Sequence, residues 1–308
     1  MLARIILIFL YVILWFSVSN PEKVFVRVDE GLTAVELSSI LRESGILLRP
    51  GIFLKLTAFF NVDRELKYGA YKFYGSEPMF NVVSELKKGR GILVKVTVPE
   101  GWRSDQIAER LGANKIIDRD EFLKYTKENK LEGFLFPETY YFSPGMRAEE
   151  IYSAFRKQFD SVFTPSLTGK AKERGLTPYK TVILASIIEK EAKTIPEKFL
   201  ISGILHNRLR KRWRLESCAT VRFALEKWNK PLSIEDTFVK SEYNTYRHRG
   251  LPPAPICNPG AVALAAAAAP EETDLMFFVA ASSGTHRFSK YFDQHVKKKF
   301  KRIKKSGF

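Results

Sequence analysis

Val26-Arg-Val-Asp-Glu-Gly31, followed by Leu37 and Leu41, returns 70 residues later as Val96-Thr-Val-Pro-Glu-Gly101, followed by Ile107 and Leu111. Alternating apolar residues mark a strand with one buried face, and the glycine that follows permits a turn. The four-residue apolar spacing then puts both side chains on one face of a short helix. Thr33 and Glu36 have the spacing of a capping box for the first of these helices. Two copies are too few for a stacked repeat array, so they imply an α+β module ahead of a main domain.

Between the copies, Tyr68 to Gly75 reads as an aromatic-rich strand. Its rings suit core packing or, on an open sheet, stacking on sugar faces. Phe80 to Leu86 reads as a helix ending near Gly89. After Gly101 the pattern is mainly helical. It breaks at Phe134–Tyr140, resumes from about Ala148, and starts again near Thr177 or Pro178. Pro252, Pro253, Pro255 and Pro259 stiffen a loop from Tyr243 to Gly260. An Ala-rich helix (261–269) and a buried strand (276–281) complete the chain's main elements.

Upstream, no residue from Ile5 to Asn20 is charged, and Pro21 ends the run. With Arg4 snorkelling, residues 1–19 approach the ~20 residues of a membrane helix. Ser17 and Ser19 have the spacing of a signal-peptide cleavage site, but bulky Leu14, Trp15 and Phe16 favour an uncleaved anchor. Arg4 before the run, against Lys23 and Arg27 after it, codes orientation only weakly.

The formal charge is +16, from 50 Lys+Arg against 34 Asp+Glu, and seven of those cations crowd between Lys297 and Lys305. Such a balance suits anionic lipid, a wall polymer or nucleic acid; the last is disfavoured because the charge concentrates in a tail behind an export anchor. Two cysteines, Cys218 and Cys257, exclude a disulfide framework and leave a single bridge open. The four histidines (206, 248, 286, 295) lack ligand spacing, so neither metal nor cofactor is expected.

Chemistry points to the helix Thr181-Val-Ile-Leu-Ala-Ser-Ile-Ile-Glu-Lys-Glu191-Ala192. On a helical wheel, Ile183, Leu184, Ile187 and Ile188 form one apolar face with Glu191 near its middle and Glu189 opposite. A carboxyl on that face loses hydration, which raises its pKa and suits it to general acid work. Downstream come His206-Asn-Arg-Leu209, Leu215-Glu-Ser-Cys-Ala-Thr-Val221, Tyr243-Asn-Thr-Tyr246, Gly250-Leu-Pro-Pro253, Ile256-Cys-Asn-Pro-Gly260 and His286-Arg-Phe-Ser289, then His295. Hydroxyl and amide groups on Pro/Gly-stiffened loops suit polar sugars.

In this order, from Leu131-Glu-Gly-Phe-Leu-Phe-Pro-Glu-Thr-Tyr140 through Ala185-Ser-Ile-Ile-Glu-Lys-Glu191 to His295, the motifs resemble those of the YceG-like endolytic murein transglycosylases. The resemblance covers about half the chain. It implies an α+β architecture: a transmembrane anchor (1–19), a LysM-like α+β module (20–100), a mainly helical catalytic domain with a few strands (101–296) and a basic tail (297–308). It places the catalytic glutamate at Glu191, with Ser217, Thr220, Tyr243, Asn244, Thr245 and Asn258 as expected substrate contacts. The family often has Thr-Asp-Pro-Thr where this chain has Ser217-Cys-Ala-Thr220, so an aspartate role at 218 is missing here. It also often has Pro-Asp-Thr where this chain reads Pro137-Glu-Thr139.

The implied activity is cleavage of the MurNAc–GlcNAc bond within nascent strands, leaving 1,6-anhydroMurNAc ends. The implied surroundings are peptidoglycan strands, the inner membrane with the catalytic domain on its periplasmic side, and peptidoglycan synthases as partners, without nucleic acid. Ordinary glycosidases use two carboxylates; Glu132, Glu138 and Asp293 are the available second acids, none with a supporting pattern. The alternatives are a water-using muramidase and a non-catalytic, membrane-anchored peptidoglycan-binding scaffold.

Overall fold

The computed structural model describes residues 23–296, apart from 30, 48, 64–65, 68, 76–77, 90, 229, 282–284 and 295. The expected anchor, His295 and the basic tail lie outside the described residues. Among the described residues no helix is long and apolar enough to cross a membrane. The fold is α+β, mostly helical with short strands, and it divides into two compact units.

The first unit comprises the residues up to Val96 together with 111–118 and 141–147. Strand β1 (Lys23–Val28) pairs antiparallel with β2 (Gly69–Tyr74), Val26 facing Tyr71. Between them lie helices α1 (Ala34–Glu43) and α2 (Pro50–Phe59); α3 (Met79–Lys88) follows. The Thr33–Glu36 capping box forms as expected, with Gly31 at φ +82 in the turn before it. Val26, Val28, Leu37, Leu41, Phe53, Val82 and Leu86 form the core. Tyr71 and Phe73 join them, stacked with centroids 6.0 Å apart and each 1% exposed. The aromatic strand therefore spends these two rings on packing rather than on sugar. Gly89, in the left-handed region at φ +66, ends α3 where expected.

The second unit begins at Thr97. The second repeat copy forms β3 (Val94–Thr97), a turn at Gly101 (φ +75) and α4 (Ser104–Ala113). β3 pairs with β4 (Thr139–Phe142), a strand the sequence reading did not anticipate; Val98 N donates to Glu138 O at 2.9 Å. Helices α5 (Arg119–Glu128), α6 (Ala148–Val162) and α7 (Pro165–Glu173) lead to α8 (Pro178–Glu191). Thr177 caps α8, and Pro178 suits its first turn, where no backbone N–H is needed.

Every residue from Thr181 to Ile188 is buried, so this middle stretch of α8 has no solvent face and the one-sided wheel is corrected. α8 packs against α7, α9 (Ile195–Arg210), α10 (Cys218–Ala224) and α11 (Ala261–Ala268). Burying a side chain such as Ile187 or Leu184 stabilises the fold by about 1.5–3 kcal/mol. The alanines of α11 let backbones approach closely, and Ser202 Oγ donates to Ala266 O at 2.7 Å. The strand expected at 276–281 is β5 (Phe277–Ala280), half-buried rather than buried because only β6 (His286–Ser289) pairs with it.

Candidate active site

Glu191 is the last residue of α8, partly exposed on the wall of a cleft of about 480 Å³. Its Oε1 accepts hydrogen bonds from Ser217 Oγ at 2.5 Å and Ala219 N at 3.3 Å. No described residue donates to Oε2, so one oxygen is fixed and its partner is open to a ligand. The sheltered, apolar setting expected for Glu191 is corrected to a cleft wall, because the helix ends there and the chain turns away at Ala192.

Ser217 occupies the cap position of α10 without capping it; its hydroxyl serves Glu191 instead. Behind it, Thr245 Oγ1 accepts from Ser217 N at 3.0 Å and lies 2.9 Å from Thr220 Oγ1, which donates to Ser217 O. These groups lock the backbone that presents Ser217 and Ala219.

Thr220, Asn244, Thr245 and Asn258 are each at most 1% exposed. The polar groups of these four expected contacts are hydrogen-bonded within the protein itself. Asn244 Nδ2 donates to Thr237 O and Val239 O while its Oδ1 accepts from Tyr246 N. Asn258 Oδ1 accepts from Gly133 N and Leu135 N, and its Nδ2 donates to Trp102 O and Glu132 Oε1. Gly133, at φ +93, has no room for a Cβ, which would meet Pro255 Cγ at 2.6 Å. Tyr243 lines the cavity next to the cleft. His206-Asn-Arg-Leu209 lies within α9, where Asn207 and Arg208 staple that helix to Thr273–Met276.

Glu189 is sealed, contrary to the wheel. Its carboxylate is bidentate to Lys198 Nζ at 2.8 and 3.0 Å and accepts from Gly260 N at 3.1 Å. Burial alone would pull the Lys198 ammonium down, but Glu189 and Glu100 together hold it above its usual pKa. Sequence reasoning missed Glu100, Trp102, Arg103 and Trp228, which line the Glu191 cleft. Glu100-Gly-Trp was visible only as a repeat copy, although a charge beside an aromatic residue after a turn was a signal. Gly260 leaves the space that the Glu100 carboxyl fills.

Of the other acids weighed, Glu138 and Asp293 are exposed. Glu132 is held by Ser104 N and Asn258 Nδ2, each at 3.0 Å. Burial pushes its pKa from 4.5 up to about 7, against the lowering effect of the Ser104 hydrogen bonds. Between those two values the unfolded chain has lost this proton and the folded chain retains it. Stability must then fall as pH rises through the window, by on the order of 3 kcal/mol. Urea midpoints at pH 5, 6, 7 and 8 should show this slope in the wild type and not in Glu132→Gln; parallel profiles would mean that the carboxyl is hydrated.

Neither cysteine is in a disulfide: Cys218 is exposed beside Tyr246, and Cys257 is buried. A larger cavity of about 740 Å³ lies around Tyr179, His206 and Leu251. Its histidine is committed to Ala267 O and held below its usual pKa by burial, so the Glu191 cleft is the better-equipped site for acid–base work.

A family model described as the YceG-like family matches residues 26–301. The chain is 28% identical to the endolytic murein transglycosylase of Bacillus subtilis (strain 168), spanning 92% of this chain and 86% of that protein. It is 26% identical to the endolytic murein transglycosylase of Streptococcus pneumoniae serotype 2 (strain D39), spanning 85% of this chain and 55% of that protein, about half its length. Among solved structures, a YceG-like protein of Listeria monocytogenes superposes with a TM-score of 0.58 at 29% identity, covering 90% of this chain and 99% of that one.

Proposed function

The chain belongs to the YceG-like family, and from that premise we propose that it is an endolytic peptidoglycan lytic transglycosylase in which Glu191 is general acid and then general base. One observation carries the reading: a carboxyl on a cleft wall with Oε1 fixed by Ser217 and Ala219 and Oε2 open. Protonated Glu191 gives its proton to the oxygen joining MurNAc to GlcNAc. As carboxylate it then takes the proton of the MurNAc 6-hydroxyl, whose oxygen closes on C1 while the C1–oxygen bond breaks. The product is a 1,6-anhydro end, and no water is consumed. Intramolecular attack on a held ring can supply roughly 7–11 kcal/mol of the barrier reduction. Ser217 touches the acid, while Thr220, Thr245, Asn244 and Asn258 act as positioning residues.

Residues 1–19, without a charge from Ile5 onward, are read as an inner-membrane anchor with the catalytic domain on the periplasmic side, holding the enzyme beside nascent strands and synthases. The strand–helix–helix–strand order of the first unit supports reading residues 20–100 as LysM-like. A second reading, a muramidase that uses water, is favoured by Glu100, a second carboxylate lining the Glu191 cleft. Mass spectrometry of digested glycan strands separates the two. The transglycosylase leaves anhydro ends, and a muramidase leaves reducing ends heavier by one water. A scaffold would leave the strands intact.

A further inference from the structure

The cleft that carries Glu191 shares Arg103, Phe223 and Trp228 with a second cavity of about 500 Å³, within the range of sites that bury a small ligand. The Arg103 guanidinium sits 3.6 Å over the Trp228 ring and is tied to Asp105 at 2.7 Å, so the tryptophan is braced from one side. Phe223 continues the wall, 6.1 Å from Trp228 and 4.8 Å from Tyr243. A run of braced rings is a platform for the apolar face of a sugar.

The charged part of the lining is different in kind. Arg119, Lys127 and Lys130, on α5 and just beyond it, are exposed and line the same cavity, as do Asp105, tied to Arg103, and Glu226; Arg119 also pairs with Asp120 beside it. A neutral polysaccharide needs hydroxyl and amide partners rather than three cations. Muramic acid in peptidoglycan, however, carries a short peptide with free carboxylates. We propose that this second cavity is the subsite for a peptide-bearing sugar of the strand, the rings taking the sugar and Arg119, Lys127 and Lys130 taking the peptide carboxylates. The proposal rests on the murein-cleaving reading and adds the part of the substrate that the protein selects. Glu132 also lines this cavity, and burial, which pushes its pKa up to about 7, makes it repel an incoming carboxylate less than an ordinary acid would.

The test uses the full chain carrying Glu191→Gln, so that ligand is not consumed. It is titrated calorimetrically with a peptide-bearing murein tetrasaccharide and with the same tetrasaccharide stripped of peptide by an amidase. The expected result is a preference of about tenfold for the peptide-bearing form, weakening with salt. Adding Arg119→Gln, Lys127→Gln and Lys130→Gln should bring that preference to about one. Lys127→Glu with Lys130→Glu should invert it; these positions are exposed, and unchanged thermal unfolding certifies the fold. Equal affinity for the two ligands in the parent, or a preference that survives both sets of substitutions, overturns the subsite. Binding of neither ligand overturns the murein reading itself, and the subsite with it.

Discussion

Glu191→Gln should abolish strand cleavage if the proposed mechanism holds, lowering turnover by at least about 10³-fold while leaving glycan affinity within a few-fold of wild type. Glutamine keeps the size and shape of the side chain, and its carbonyl oxygen can still accept from Ser217 Oγ and Ala219 N. What it lacks is a transferable proton in the first half of the reaction and a basic oxygen in the second. In the proposed mechanism one residue carries both halves, so both should be lost together. Single-turnover release of soluble glycan, alongside equilibrium binding to intact strands, reads the two quantities separately. Retention of more than roughly a tenth of wild-type turnover would remove Glu191 from the chemistry and shift attention to Glu100. Ser217→Ala is the graded companion. It removes one donor to Oε1 and leaves Ala219 N, so the carboxyl is held less firmly and a loss of about tenfold in turnover is expected.

Local signals in the sequence were sufficient wherever a short segment decides its own structure. The Thr33–Glu36 box, the start of α8 at Thr177–Pro178, the Gly89 cap and the alanine helix all depend on residues within one or two turns. Features set by distant partners were not legible. β4 exists because Val98 and Thr97 meet Glu138 and Thr139 across some forty residues, and nothing local announces it. The wheel for α8 ranked Glu189 as the outward acid because it assumed one wet face. Lys198, nine residues on, and the backbone of Gly260 made that side interior as well. Asn244 and Asn258 were found as important polar residues, but a sequence does not say whether an amide holds a loop or a ligand. Their burial does.

The second large effect lies in that hidden ion pair. Lys198→Met should cost about 3–5 kcal/mol of stability, because it leaves the Glu189 carboxylate charged, enclosed and short of its main partner. The side chains of Glu189 and Lys198 are only 8% and 7% exposed, so little water can take over. Lys198 also reaches Glu100 at 3.4 Å, and losing it frees a second carboxylate beside the cleft. The double variant Glu189→Gln with Lys198→Met separates charge burial from packing. The neutral amide keeps an acceptor for Gly260 N while removing the unpaired charge, so the double variant should recover to within about 1–2 kcal/mol of wild type. Urea unfolding followed by tryptophan fluorescence measures all three proteins. The pH dependence supplies an independent check. The pKa of Lys198 is raised on folding, so its contribution is complete below the ordinary lysine value of 10.5 and is lost as pH climbs through the higher folded value. Wild type should therefore lose stability at strongly alkaline pH faster than the double variant does. If the single substitution costs less than about 1 kcal/mol, the pair is hydrated like a surface bridge. In that case Glu189, rather than being locked to Lys198 two residues before Glu191, would be free to share the cleft with it.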